Sequence, residues 1–175
     1  MEQYEKAIFA GGCFWCIEDA FHGLPGVKET VPGYTGGEKA NPTYEQVCTG
    51  RTCHYEAVQV TYDPDVTSYE ELLKVFFSHI DPTDPDGQFA DKGPQYRTAI
   101  FYLDEKQKQK AMEAIRAIDC SRVFDKAVVT LVLPAQPFYP AEEYHQGYHL
   151  KNPERYCNYK RLSGREAFIE AVWGK

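Results

Sequence analysis

Apolar and polar positions alternate in two rhythms along the chain. The run "KAIFAGG" at 6–12 is apolar and closes on two glycines, the pattern of a short buried strand ending in a turn. From Cys13 onward the rhythm changes: Phe14, Ile17, Ala20, Phe21 and Leu24 recur at helical spacing, and "GLPG" stops the helix near residue 23. A strand with a loop at its end follows at 27–37, and "EAVQVTYDP" at 56–64 alternates as a half-buried strand does. A helix is expected over 68–80, opened by Ser68 with Glu71 at its third position, the pairing of a capping box.

Further on, "RTAIFYL" at 97–103 reads as a strand, 104–118 as an amphipathic surface helix and 126–133 as another strand. The segment 140–149 starts with proline and predicts a short helix, and 163–173 a closing one. Residues 80–95 form a long loop without predicted elements, of the kind that usually carries function. Strands and helices are interleaved by uneven connections, with no repeat, low-complexity tract or linker. The expected architecture is α+β, a mixed β-sheet with helices packed against it, in one domain over 1–175.

Charge and hydropathy narrow the function classes. A net charge of −7 disfavours a nucleic-acid partner, because phosphate contacts need clustered cations. The longest apolar runs are too short to span a bilayer, and "MEQYEKAIFAGG" has no leader-like apolar stretch, so no membrane is expected and the cytosol is the expected compartment. In a reducing compartment the six cysteines stay thiols, which leaves redox chemistry or metal binding as their use.

"GGCFWCIE" is where that chemistry concentrates. A cysteine at a helix start faces free N–H groups and the positive dipole end, which favours thiolate. Cys16 lies one turn on along the same face; an i, i+3 pair has a Cα separation of about 5 Å, within the span a disulfide tolerates. Dithiol chemistry at Cys13 and Cys16 is therefore expected over two buried structural thiols. Phe14 and Trp15 read equally as core or as an apolar wall beside the nucleophile. Cys48, Cys53, His54 and Glu56 lack the paired C-x-x-C spacing of a zinc site, and the aspartates of 80–95 do not fit a calcium loop, so no metal and no cofactor are expected.

Together "GGCFWCIE", "GYTGG", "NPTYEQVCTG", "HYEAVQVTYDP", "QYRTAIFY" and "FYPAEEYHQGYHLKNPERY" resemble the methionine sulfoxide reductase A family across nearly the whole chain, in a GCFWC subtype. The resemblance implies a core similar to a ferredoxin-like split βαβ with long loops and an extended C-terminal region. It implies reduction of methionine-S-sulfoxide, free or in proteins, with thioredoxin as reductant. It implies Cys13 as nucleophile, Phe14 and Trp15 as the seat of the substrate methyl, Glu56 as proton donor, and Tyr44, Tyr96 and Asp91 around the sulfoxide. Three positions depart from the family pattern: Cys16 and Cys53 stand where glycine is common, and Cys157 is followed by a helix-forming segment in place of a glycine-rich tail. The expected order of resolving cysteines is Cys16, then Cys157, then Cys53. A general thiol–disulfide oxidoreductase and a metal-binding module are the competing readings.

Overall fold

The computed structural model describes residues 3–174. Strand β1 (Glu5–Gly11) leads through helix α1 (Phe14–Phe21) to β2 (Val27–Thr35), and a short helix α2 (Tyr44–Cys48) precedes β3 (Tyr55–Tyr62). Helix α3 (Tyr69–Phe77), a two-residue hairpin of β4 (Gly87–Gln88) and β5 (Asp91–Lys92), and β6 (Thr98–Tyr102) follow. After them come α4 (Glu105–Ser121), β7 (Leu131–Pro134), β8 (Tyr139–Pro140), α5 (Tyr148–Lys151), α6 (Pro153–Ser163) and α7 (Arg165–Trp173).

The main sheet runs β7-β6-β1-β3-β2-β8. Within it β6-β1-β3-β2 are antiparallel neighbours, and α1 and α3 cross from β1 to β2 and from β3 to β6. That is the split βαβ core the family resemblance implies. Among the described residues only β6 and β7 pair in parallel, joined by α4, so the sheet is mixed. Alternate residues of β1 feed two cores: Ala7 and Phe9 pack with Ile17, Phe21, Val58 and Phe76, while Ile8 and Ala10 pack with Ala57 and Phe101 on the other face. Burying β1 on both faces fixes its register, because a one-residue slip exchanges the two sets.

Several expected elements differ in detail. The 56–64 strand is buried on both faces over Tyr55–Val58, because it lies inside the sheet. The expected 126–133 strand shrinks to Leu131–Pro134: Val128 N–H goes to Asp119 and Val129 N–H to the Pro82 carbonyl, so pairing with β6 starts only at Leu131. Pro140 does not open a helix; it sits opposite Gly33 in β8, at the sheet edge where its missing N–H costs no ladder bond. The rest of 140–149 forms a 3₁₀ turn over Glu143–His145, and Gly147 in a left-handed conformation (φ 62°) separates it from α5. At α3 the Ser68 hydroxyl accepts from Glu71 N–H, but the Glu71 carboxylate turns to Lys74, leaving half of the expected box. The complete capping box is at Thr43 and Gln46, opening α2. The loop 80–95 is also not structureless: Gln88 ties both its amide atoms to the Asp81 backbone, and the β4–β5 hairpin and a 3₁₀ turn over Pro94–Tyr96 order its second half.

Candidate active site

The site begins at the turn between β1 and α1. Gly12 takes φ +86°, and a Cβ there would lie 2.6 Å from Gln88 Cβ, so only glycine lets the chain turn so tightly. Cys13 caps α1, and its carbonyl accepts from Cys16 N–H at 3.2 Å, bringing the two side chains onto one face, where the thiols hydrogen-bond. Both are enclosed, Cys13 6% and Cys16 3% exposed, against Tyr156 of α6.

Glu56 reaches this turn from β3. Its Oε1 accepts from Phe14 N–H at 3.2 Å, and Oε2, also buried, has no partner among the described residues. The residue is 2% exposed. Burial pushes its carboxyl up to about 8; the Phe14 N–H opposes the shift and the Asp91 charge adds to it. A carboxyl raised this far holds its proton at neutral pH, and the unpartnered Oε2 is free to offer it. Tyr44 and Tyr96 face the same carboxyl: burial and the Glu56 charge raise both phenols, so both remain O–H groups. Asp91, on β5, accepts from the Tyr159 hydroxyl.

The thiols behave differently from the helix-start expectation. Burial, the Cys16 thiol and the charges of Glu56 and Asp91 push Cys13 up, and the dipole of an eight-residue helix does not reverse this. The lowered thiol is Cys16, down to about 7, stabilised first by the Cys13 hydrogen bond and then by Arg165, Tyr156 and Lys160. The pair therefore gives up one proton near neutrality and keeps the second.

The aromatic pair divides its roles. Phe14 is core, against Tyr34 and the His145 ring at 5.0 Å. Trp15 is partly open and forms a wall: Tyr148 stacks on it at 3.8 Å, Tyr159 meets its plane edge-on at 5.7 Å, and its Nε1–H donates to His145 Nδ1 at 3.0 Å. Below Tyr44, the Glu142 carboxylate accepts from Tyr44 N–H and from the Tyr34 hydroxyl.

Cys13, Phe14, Trp15, Cys16, Tyr44, Glu56, Asp91 and Tyr96 are thus brought into one neighbourhood. The thiols of Cys157 and Cys53 are not. On α6 the inward residues are Tyr156 and Tyr159, and Cys157 is exposed. Cys53 is exposed in the turn before β3, at φ 60°. The left-handed region costs a residue with Cβ roughly 1–2 kcal/mol, so Cys53→Gly is expected to raise stability by about 1 kcal/mol and leave turnover unchanged, as urea unfolding and a coupled assay will read. Sequence reasoning missed His145, Tyr148, Tyr156 and Tyr159. The signal is present as aromatic spacing in "YHQGYH" and "RYCNY", but it reads as helix surface. Among the described residues no group of three or more His, Cys, Asp or Glu stands close enough to hold a metal ion, and no helix is long and apolar enough to cross a membrane.

Comparison with known proteins adds an independent finding. Residues 5–175 match the family model described as peptide methionine sulfoxide reductase. A relative from Bacillus licheniformis, named peptide methionine sulfoxide reductase MsrA, is 53% identical over 174 residues, 99% of this chain and 96% of the relative. Among solved structures, methionine sulfoxide reductase A of Corynebacterium diphtheriae superposes with a TM-score of 0.81 at 37% identity, covering 87% of this chain and 77% of that one. Mxr1 from Saccharomyces cerevisiae in reduced form gives a TM-score of 0.81 at 31% identity, with 87% of both chains covered. The same yeast protein in complex with Trx2 has a like fold, with a TM-score of 0.60 at 23% identity over 83% of this chain and 85% of that one.

Proposed function

The chain belongs to the peptide methionine sulfoxide reductase family, and from that membership we propose that its single domain reduces methionine-S-sulfoxide, free or in proteins, at Cys13. The observation that carries the assignment of roles is Glu56: buried, so that its carboxyl is pushed up to about 8, held by Phe14 N–H through one oxygen and unpartnered at the other.

A sulfoxide presents an electrophilic sulfur, a basic oxygen and an apolar methyl group. Cys13 gives its proton to the Cys16 thiolate beside it, and its sulfur attacks the sulfoxide sulfur as Glu56 gives its proton to the oxygen, with the Tyr44 and Tyr96 hydroxyls donating to that oxygen. Oxygen then passes to Cys13, releasing methionine and leaving Cys13–SOH. Cys16 sulfur displaces that hydroxyl as water, forming the Cys13–Cys16 disulfide. A dithiol donor of the thioredoxin kind reduces the disulfide and becomes oxidised in turn; the yeast relative found with Trx2 supports that choice of donor, and the cytosol is the compartment we propose for the work. The donor needs a sulfur to approach, so the cover formed by Tyr148, Tyr156 and Tyr159 must shift during turnover. A general thiol–disulfide oxidoreductase has no use for the buried Glu56 carboxyl and the two phenols that face it, which favours the reductase reading.

The test is stereochemical. Methyl against Trp15, oxygen on the Glu56–tyrosine cluster and sulfur at Cys13 leave one handedness that fits. With thioredoxin, its reductase and NADPH, consumption of the pure S epimer and none of the R epimer is expected. Equal rates on both epimers sink the assignment.

A further inference from the structure

Both oxygens of the Glu142 carboxylate are committed to the site's tyrosines. Oε1 accepts from the Tyr34 hydroxyl at 2.8 Å and Oε2 from Tyr44 N–H at 2.9 Å. The capping box that opens α2 uses the N–H groups of Thr43 and Gln46, on either side of Tyr44, and leaves Tyr44 N–H to Glu142. Tyr34 is fully buried and lies opposite Glu56 in the β2–β3 register. One carboxylate therefore ties the start of α2, which carries an oxygen-binding phenol, to the strand beside the proton donor.

The turn that carries Glu142 also reaches the other side of the site. His145 N–H donates to the Glu142 carbonyl at 2.9 Å, closing the 3₁₀ turn. The His145 ring meets Tyr44 at 4.5 Å and Phe14 at 5.0 Å, and it accepts from Trp15 Nε1–H at 3.0 Å. The turn is itself anchored on β2, where Ala141 N–H and the Gln146 side-chain amide both donate to the Pro32 carbonyl, at 2.9 and 3.0 Å. Tyr44 and Trp15, the oxygen and methyl contacts, are thus both referenced to one anchored turn.

We propose that Glu142 is a positioning residue for the first chemical step: its clamp on Tyr44 sets the phenol that holds the sulfoxide oxygen against the Trp15 wall that seats the methyl. The assignment rests on the proposed role of Tyr44 at the oxygen.

Methionine release from the S epimer in a single turnover is compared in wild type, Glu142→Ala, Glu142→Gln, Tyr44→Phe and the double variant Glu142→Ala/Tyr44→Phe. Alanine removes both contacts. Glutamine keeps them, because its carbonyl accepts from Tyr44 N–H and its NH₂ donates to the Tyr34 oxygen. Glu142→Ala is expected to slow the step at saturating substrate about 10²-fold, the usual cost of misplacing a reacting contact by about 1 Å. The half-saturating concentration changes little, and Glu142→Gln restores most of the rate. In the Tyr44→Phe background the same alanine substitution costs less than about twofold, since the hydroxyl it places is already gone. A merely structural loss adds in full there, and full additivity overturns the proposal. So does a Glu142→Ala rate within about threefold of wild type, or a Glu142→Gln rate as low as that of Glu142→Ala.

Amide exchange by NMR needs no substrate and separates the clamp from the functional reading, which the epimer assay decides. Tyr44 N–H is expected to exchange at least about tenfold faster in Glu142→Ala than in wild type and Glu142→Gln. Val47 N–H, bonded to the Thr43 carbonyl at 3.0 Å, stays as slow in all three. Equal Tyr44 exchange in the three proteins overturns the proposal. Should Glu142→Ala not fold, Glu142→Asp, one methylene too short to hold both donors, takes its place in both measurements.

Discussion

Replacing Glu56 by glutamine is expected to slow the first chemical step about 10²–10⁴-fold, the usual loss when a positioned acid is removed. Methionine release in a single turnover is the measurement, with substrate affinity changing little. An amide fills the same space and still accepts from Phe14 N–H, so the turn before α1 is kept while the transferable proton is lost. Wild type is expected to give a bell-shaped pH profile for this step. The rate climbs as the dithiol loses its first proton near about 7 and falls as Glu56 ionises at about 8. In Glu56→Gln the falling limb disappears. Stability supplies a second reading with a definite sign. The Glu56 pKa in the folded protein lies above its ordinary value of 4.5, so the folded chain holds a proton the unfolded chain has lost between 4.5 and about 8. Wild-type stability is therefore eroded as pH rises through that window, and the variant escapes the erosion. A single-turnover rate within about threefold of wild type shows that the proton comes from elsewhere.

The strands and crossing helices of the core are legible in the sequence because they carry strong periodic patterns, as in "KAIFAGG" and "SYEELLKVFFSHI", while their split arrangement is readable only through the family blocks. Where the pattern misleads, a tertiary bond overrules it. "KAVVTLVL" is apolar enough for a full strand, yet Asp119 and Pro82 take the backbone N–H groups of its first half, and no periodicity reports a partner so far away in the chain. The preference of proline for helix starts points to a helix at Pro140, while the sheet uses it at an edge. For the site, Cys13 and Cys16 are readable from spacing alone, since one helical turn brings them together. The neighbourhood of Glu56 is readable only through the family blocks, because 42 residues separate it from Phe14 and only the packing of β3 under α1 closes that gap. The same limit hides Arg165, which stands 154 residues from the Gly11 carbonyl it holds. The charge on the thiols escapes the sequence for a related reason. A helix start is visible there, but the enclosure that outweighs its dipole at Cys13 is not.

Cys16→Ser is expected to release about one methionine per enzyme and then stop, because Cys13 is intact but its sulfenic acid loses the adjacent thiol. Thioredoxin-driven turnover collapses, whereas Cys157→Ser keeps it. Geometry sets the ranking. Cys16 already hydrogen-bonds Cys13 from one turn away, so its effective concentration is high and a small opening of the first turn of α1 brings sulfur to sulfur. Cys157 has further to go. Its helix is pinned to the site by neighbours that face inward: the Tyr156 hydroxyl donates to Asp19 at 2.9 Å and the Tyr159 hydroxyl to Asp91. Cys157 itself points away, so bringing its sulfur to Cys13 means breaking both bonds and turning or unwinding α6. Full turnover in Cys16→Ser, with collapse in Cys157→Ser, shows that α6 does unwind after oxidation. In that case the two inward tyrosines act as a latch that releases during turnover, and Cys16 serves Cys13 only through the proton they share.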